Sequence, residues 1–279
     1  MFRFAHLSDL HFSHITWNLA QLFSKRLVGN VNWLLRRRSE FDHQLLLPLY
    51  ELLVKERVEF VLISGDMSCS SLHQEFVKAK HFTSNLEQLG IPVISIPGNH
   101  DHYTKESSKK RLFYQFFEEP SLYQTKVSLR ALQEPWHLLL LDTTHVTPYF
   151  CCYGTFTKTI ENALHSLLQT LPADAKVIVA NHFPLKHRAK PLRRSEELCS
   201  LLQQYPQIKL YLHGHTHTHT IHDYRPLHLP VCIDAGSAAH KHRGSFTVIT
   251  CTSTSTTIQP YSWSHQCWTP TPSTNLFWS

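Results

Sequence analysis

Five short islands hold the residues best suited to chemistry: Asp9-Leu10-His11, Gly65-Asp66, Gly98-Asn99-His100-Asp101, Asn181-His182 and Gly214-His215-Thr216-His217. Carboxylate, imidazole and amide oxygen all bind divalent cations, and this mixed set suits Mn, Fe, Zn or Co better than Mg or Ca. There are enough donors for two ions. A pair of ions ~3.5–4 Å apart neutralises phosphate oxygens, lowers the pKa of a bound water and orients in-line attack on phosphorus. Such a pair needs a bridging ligand, and a carboxylate can turn one oxygen toward each ion. In an extended segment residues i and i+2 point the same way. Asp9 and His11 can therefore face one ion, and His215 and His217 can reach neighbouring ions. Gly65, Gly98 and Gly214 permit tight turns just before the donors. His100 follows Asn99 and is placed to reach a leaving oxygen, with Asp101 able to orient its imidazole or support its protonated form. His213 alternates with His215 and is expected on the opposite face. With His219, His222, His240 and His242 it stands outside the donor set.

Each island follows an apolar, β-branched run, and open α/β sheets bind ligands outside the carboxyl ends of their strands. Residues 2–7, 58–63, 91–96, 138–141, 177–180 and 208–212 read as strands, and 45–55, 74–89 and 159–170 as helices. Residues 231–234 and 246–251 read as closing antiparallel strands. Strands alternating with helices imply a layered α/β architecture. No flexible or charged linker and no internal repeat interrupts the islands, so residues 1–251 are expected to be one domain.

The ordered set D-x-H, G-D, G-N-H-D/E, H and G-H-x-H resembles the signature of the calcineurin-like metallophosphoesterases, and the likeness runs from about Phe4 to Phe246. The resemblance implies a four-layer αββα sandwich with two mixed sheets. It implies two divalent ions, Mn first, bridged by Asp66. Asp9, His11 and His217 would complete one site, and Asn99, His182 and His215 the other. It also implies that His100 is the general acid or transition-state stabiliser and Asp101 its partner.

Residues 17–38 do not fit a minimal core. On a helical wheel Phe23, Leu27, Val31 and Leu34 share one face, with Lys25, Arg26, Arg36 and Arg37 mainly opposite. Exposed basic residues beside Trp33, soon after the first donors, suggest a lid or a membrane-contact element. Residues 252–279 form a Ser-, Thr- and Pro-rich tail whose Trp263, Trp268, Phe277 and Trp278 are expected to dock part of it. With 42% apolar and 17% charged residues the chain is globular. A net charge of +6 accommodates anionic substrates or a membrane surface but is too small to argue for nucleic acid. No run reaches the ~18 apolar residues of a spanning helix. The odd cysteine count, without C-x-x-C, and the absence of a secretory signal point to a cytoplasmic protein with reduced thiols, peripheral at most on the inner membrane.

Fold and metal set define a reaction, not a substrate. The basic segment resembles that of the chlamydial-type UDP-2,3-diacylglucosamine pyrophosphatases of lipid A synthesis. This implies hydrolysis of a lipid-linked nucleotide-sugar to a lipid monophosphate and UMP, with Arg36, Arg37 and Trp33 binding substrate. The better-known pyrophosphatase of that pathway has G-N-R-D where this chain has His100. The alternatives are a cyclic-nucleotide or broad phosphodiesterase, and a non-enzymatic interaction scaffold. The complete donor set argues against the scaffold.

Overall fold

The computed structural model describes residues 1–14, 26, 40–149, 151–187 and 191–278. Two mixed sheets stack face to face. In the first, β1 (Phe2–Leu7), β2 (Phe60–Ile63) and β3 (Val93–Ser95) run parallel. β12 (Ser245–Cys251) pairs antiparallel with β1, and β13 (Ser255–Ser264) continues outward. β14 (Cys267–Pro270) and β15 (Thr274–Phe277) share the far edge of β13. The second sheet has the order β10 (Thr220–Asp223), β11 (Val231–Asp234), β9 (Ile208–His213), β7 (Lys176–Ala180), β5 (Trp136–Leu141), β4 (Val127–Ala131). A two-residue ribbon, β6 (Gly154–Thr155) with β8 (Leu192–Arg193), stands apart.

Period-two burial explains the layering. Phe4, Leu62, Leu138, Leu140, Ile178, Leu210, Leu212 and Ile233 point between the sheets. The alternate residues of the same strands face outward and need cover. Ala5, Val61 and Ile63 are covered by α1 (Leu47–Lys55) and α2 (His73–Gln88) through Leu49, Leu53, Phe76 and Phe82. Val177, Val179 and Tyr211 are covered by α3 (Lys158–Gln169) and α4 (Ser195–Leu202). In α3 the Thr157 side chain caps the Ile160 amide, and Ile160, Leu164 and Leu168 are buried one turn apart, as an amphipathic helix requires. The result is the four-layer αββα sandwich.

Two elements differ from the sequence expectation. β11 is not simply antiparallel: it runs parallel to β9, Val231 opposite Leu210, and only its outer neighbour β10 is antiparallel. The short β10 takes the sheet edge and reverses the chain before β11 enters. Beyond Cys251, pairing continues without a break through three more strands. Their threonines are β-branched and suit strands. Trp268 sits over Phe246 and donates from Nε1 to the Leu45 carbonyl at 3.0 Å. Trp278 donates to Thr256 Oγ1 at 2.9 Å.

The basic segment, with Trp33, Arg36 and Arg37, lies outside the described residues except for Arg26. Arg26 is buried and not on a solvent-facing basic stripe. Its guanidinium donates to the carbonyls of Ser70 (3.2 Å) and Ser71 (3.0 Å), and Glu106 lies 3.5 Å from it. A planar fork of donors is suited to two adjacent carbonyls, which offsets the burial of the charge. Among the described residues no helix is long and apolar enough to cross a membrane.

Candidate metal centre

The turns after β1, β2, β3, β7 and β9 meet at the carboxyl ends of both sheets. Five of their residues have left-handed backbone: Asp9 (φ 54°), His11 (49°), Asp66 (54°), His215 (72°) and His217 (58°). Asp9 and His11 therefore converge by turning and not by strand alternation, which revises the geometric reason taken from their spacing. Left-handed residues cost about 1–3 kcal/mol each and persist where the surroundings over-determine them. Here the turns are locked to each other. Asp9 N–H donates to the Gly65 carbonyl at 3.0 Å and His11 N–H to the Asp66 carbonyl at 2.9 Å. A Cβ on Gly98 would lie 2.1 Å from Asp66 Oδ1 and 2.3 Å from Asp66 N, so only glycine allows this approach.

Two donor clusters result. Asp9, His11, Asp66 and His217 bring ligand atoms within 4.8 Å of one another, and so do Asp66, His182 and His215. Asn99 Oδ1 joins the second at 3.2 Å from His182 Nε2. Asp66 belongs to both, through one oxygen: Oδ2 is 3.6 Å from His11 Nε2 and 3.5 Å from His182 Nε2. Its Oδ1 instead accepts the His100 amide at 2.8 Å. With Oδ1 on the His100 amide, it is Oδ2 that faces the histidines of both clusters. Asp9 repeats the pattern, with Oδ2 accepting the His215 amide at 2.8 Å and Oδ1 turned to His217 Nε2 (3.1 Å) and His11 Nε2 (3.5 Å).

The donor chemistry fits a pair of divalent ions. Asp9 Oδ1 is buried, and among the described residues it meets only the imidazole nitrogens of His217 and His11, without a well-formed hydrogen bond. His11 and His217 present Nε2 atoms to each other at 3.0 Å, where at most one hydrogen can sit. A cation relieves both defects at once. The imidazoles of the second cluster are oriented by carbonyls, His182 Nδ1 at 2.8 Å from Ser64 O and His215 Nε2 at 3.1 Å from Cys152 O. Those contacts fix the tautomers and aim the other ring nitrogen inward. Burial alone would depress His182, but the Asp66 carboxylate and then Asp9 push it up to about 9. The Asp66 and Asp9 carboxyls are themselves held well below the usual range: burial opposes ionisation, and the surrounding histidines outweigh it. The field that draws a proton to His182 draws a metal cation equally.

His100 reaches this site with a different partner from the one expected. Its Nδ1 lies 2.6 Å from the Cys69 carbonyl, which orients the ring beside the donor clusters. Its ring stacks on Tyr103 at 5.3 Å and meets His11 edge-on at 5.0 Å. Asp101 spends both oxygens elsewhere, accepting from Met67 N (3.1 Å), Ser68 N (2.8 Å), Ser68 Oγ (2.9 Å) and Gly98 N (2.9 Å). It clamps the Asp66 turn to the Asn99 turn. Burial, then the nearby Asp66 carboxylate, push Asp101 up to about 7. Glu75 is a further organiser that the motifs do not reveal. Buried on α2, it accepts from the amides of His14 (3.2 Å), Ser70 (2.9 Å) and Leu72 (3.0 Å), fixing the loop that carries Cys69.

Residues 2–219 match the model of the calcineurin-like phosphoesterases. The chain belongs to that family. This phosphoesterase is 27% identical over 166 residues to a 3′,5′-cyclic-nucleotide phosphodiesterase of Nostoc, covering 58% of this chain and 56% of that protein. It is 28% identical over 167 residues to the 3′,5′-cyclic adenosine monophosphate phosphodiesterase CpdA of Haemophilus influenzae, covering 57% and 56%. It thus spans little more than half the length of these curated relatives. Its fold is similar to that of a dimetal phosphatase from Danio rerio, with a TM-score of 0.68 at 14% identity, covering 100% of this chain and 99% of the other. A purple acid phosphatase from yellow lupin shares the fold with a TM-score of 0.66 at 12% identity, covering 98% and 53%.

Proposed function

We propose that this phosphoesterase hydrolyses a nucleotide phosphodiester, with a 3′,5′-cyclic nucleotide as the substrate class, using two divalent ions of which manganese is our first choice. The observation that carries the reading is Asp66 Oδ2, placed between two donor clusters at 3.6 and 3.5 Å from their histidines. Asp9, His11 and His217 would hold one ion, Asn99, His182 and His215 the other, with Asp66 shared between them. Bound there, the ions supply charge neutralisation for the phosphate and acidify water. The protein supplies position. The carbonyls of Ser64 and Cys152 hold His182 and His215 in the donor orientation. His100, its ring oriented by the Cys69 carbonyl at Nδ1, would give the leaving oxygen a proton or a hydrogen bond.

The substrate class follows the two cyclic-nucleotide phosphodiesterases reported above. A lipid-linked nucleotide-sugar rested on residues 17–38, of which the structure describes Arg26, engaged by loop carbonyls and not by a membrane-facing surface. The relatives lend that substrate no support. Manganese-loaded protein is assayed in parallel on cyclic AMP and on UDP-2,3-diacylglucosamine. Turnover of cyclic AMP, lost with the bound metal in Asp66→Ala, is the expected result. Turnover of the lipid substrate alone overturns the assignment of substrate. An Asp66→Ala protein that keeps both ions and activity overturns the bridging role.

A further inference from the structure

A cavity of about 320 Å³ lies on the outer face of the second sheet, behind the Gly214–His217 turn. None of the seven residues of the donor clusters lines it. Two buried polar residues do. Asp234 Oδ2 accepts the Thr216 hydroxyl at 2.6 Å and faces His213 Nδ1 at 3.3 Å, while its Oδ1 accepts the Gly236 amide at 2.8 Å. His213 Nδ1 also lies 3.1 Å from the Gly214 carbonyl. With two acceptors at Nδ1, that atom carries the hydrogen and Nε2 is the ring's remaining polar atom. Lys186, His187, Thr218 and Thr220 also line it, with an aromatic pair. That pair is His222 and Tyr224, with rings stacked 5.6 Å apart at 18°. Lys186 Nζ sits 5.5 Å from the Tyr224 ring, and no carboxylate pairs with it among the described residues.

The chemistry of this wall selects among ligands. It is not a third metal site: among the described residues only the two clusters of the metal centre gather three such donors. The Asp234 carboxylate is tied down by a hydroxyl, an amide and an imidazole, so an anion is best placed at the Lys186 end of the cavity, away from it. An unpaired ammonium beside threonine hydroxyls suits a phosphate, and a flat aromatic pair suits a planar base. The volume falls at the small end of ligand cavities, ~300–1,000 Å³, as a mononucleotide needs. We propose that this cavity binds a nucleoside monophosphate, its phosphate on Lys186 and its base on the His222–Tyr224 pair. Thr216, between His215 and His217, joins the cavity to the metal centre. If the nucleotide phosphodiester reading above holds, the ligand is the product class of the reaction.

The test is calorimetric titration of adenosine 5′-monophosphate into manganese-loaded protein and into protein stripped with EDTA. One saturable site is expected in the stripped protein and persists in the loaded protein beside any product binding at the metal centre; Lys186→Ala and Tyr224→Leu should weaken it at least about tenfold. Neither variant should change hydrolysis of bis(p-nitrophenyl) phosphate, a small diester that needs only the metal centre. In the loaded protein, photolysis of the 8-azido analogue should label the peptide carrying Tyr224. Loss of the site on stripping, equal affinity in the variants, labelling confined to the peptide carrying His100, or no saturation each overturns the proposal. Nucleotide binding as described with no hydrolysis of cyclic nucleotides supports the cavity and defeats only the substrate reading.

Discussion

Replacing Gly98 by alanine tests whether the packing of two turns sets the metal geometry. The new Cβ would stand 2.1 Å from Asp66 Oδ1 and 2.3 Å from the Asp66 amide nitrogen, whereas ordinary contact begins at 3.4 Å. One of the atoms struck is backbone, so no rotamer change relieves the clash. The Asp66 and Asn99 turns must part by about 1 Å, and a displacement of that size in a catalytic constellation costs roughly 10²-fold in rate. The strain on the fold is milder, about 1–3 kcal/mol for an overpacked site. Three measurements decide it: metal per chain after gel filtration, kcat/KM on bis(p-nitrophenyl) phosphate, and the melting temperature in EDTA. Metal retention and kcat/KM should collapse while the chain still melts cooperatively. Gly90→Ala is the control. Its φ of +80° is strained for alanine, but nothing lies within 4 Å, so it should lose about 1 kcal/mol of stability and no activity. Full metal content and turnover in Gly98→Ala would refute the reasoning, as would equal activity losses in the two variants.

Two further outcomes are expected. Asp101→Asn puts an amide NH2 where donors converge from Met67, Ser68 and Gly98, and each buried group left unsatisfied costs about 1–3 kcal/mol. Melting temperature and activity should therefore fall together; a shifted pH–rate profile at unchanged stability would instead restore Asp101 as partner of the His100 imidazole. Stability should also fall in acid. Burial, helped by His213 and His219, depresses His6 to about 3, and burial depresses His102 to about 4. The native state holds these rings neutral while the unfolded chain protonates them near 6.5, so stability is present above 6.5 and is lost as pH falls toward the folded values. Between pH 7 and pH 5 each ring accounts for about 2 kcal/mol, and urea titrations of wild type and His6→Gln should show a flatter acid limb in the variant. Parallel limbs would exclude His6 as a source.

Much of this site could be read from residue order, because apolar β-branched runs end where the donors begin, and strand ends are where a layered sheet gathers ligands. The order alone singles out Asp9, His11, Asp66, Asn99, His182, His215 and His217, and in the structure they lie together. What escaped is what side-chain types do not encode. His100 is oriented by the Cys69 carbonyl, and every residue owns a carbonyl. Aspartate and histidine tolerate left-handed backbone without demanding it, so the turns at Asp9 and His215 leave no mark. The direction of β11 depends on β10, four residues with one aliphatic among them, too weak a pattern to announce an edge strand. Beyond Cys251, alternate burial of Thr256, Ile258 and Pro260 marks a strand, but Ser, Thr and Pro composition concealed it.

The pairing of β1 with β12, Phe2 opposite Cys251, has a bearing on how the protein is made. Asp9 and His11 leave a ribosome early, yet the strand before them gains its antiparallel neighbour only about 240 residues later, and the imidazoles of His215 and His217 arrive almost as late. Contacts so distant in sequence form slowly, after local structure. At synthesis rates of ~5–20 residues per second, the nascent chain carries half-built donor sets for tens of seconds. Both donor clusters are therefore completed only when the Gly214–His217 turn has folded onto the early strands.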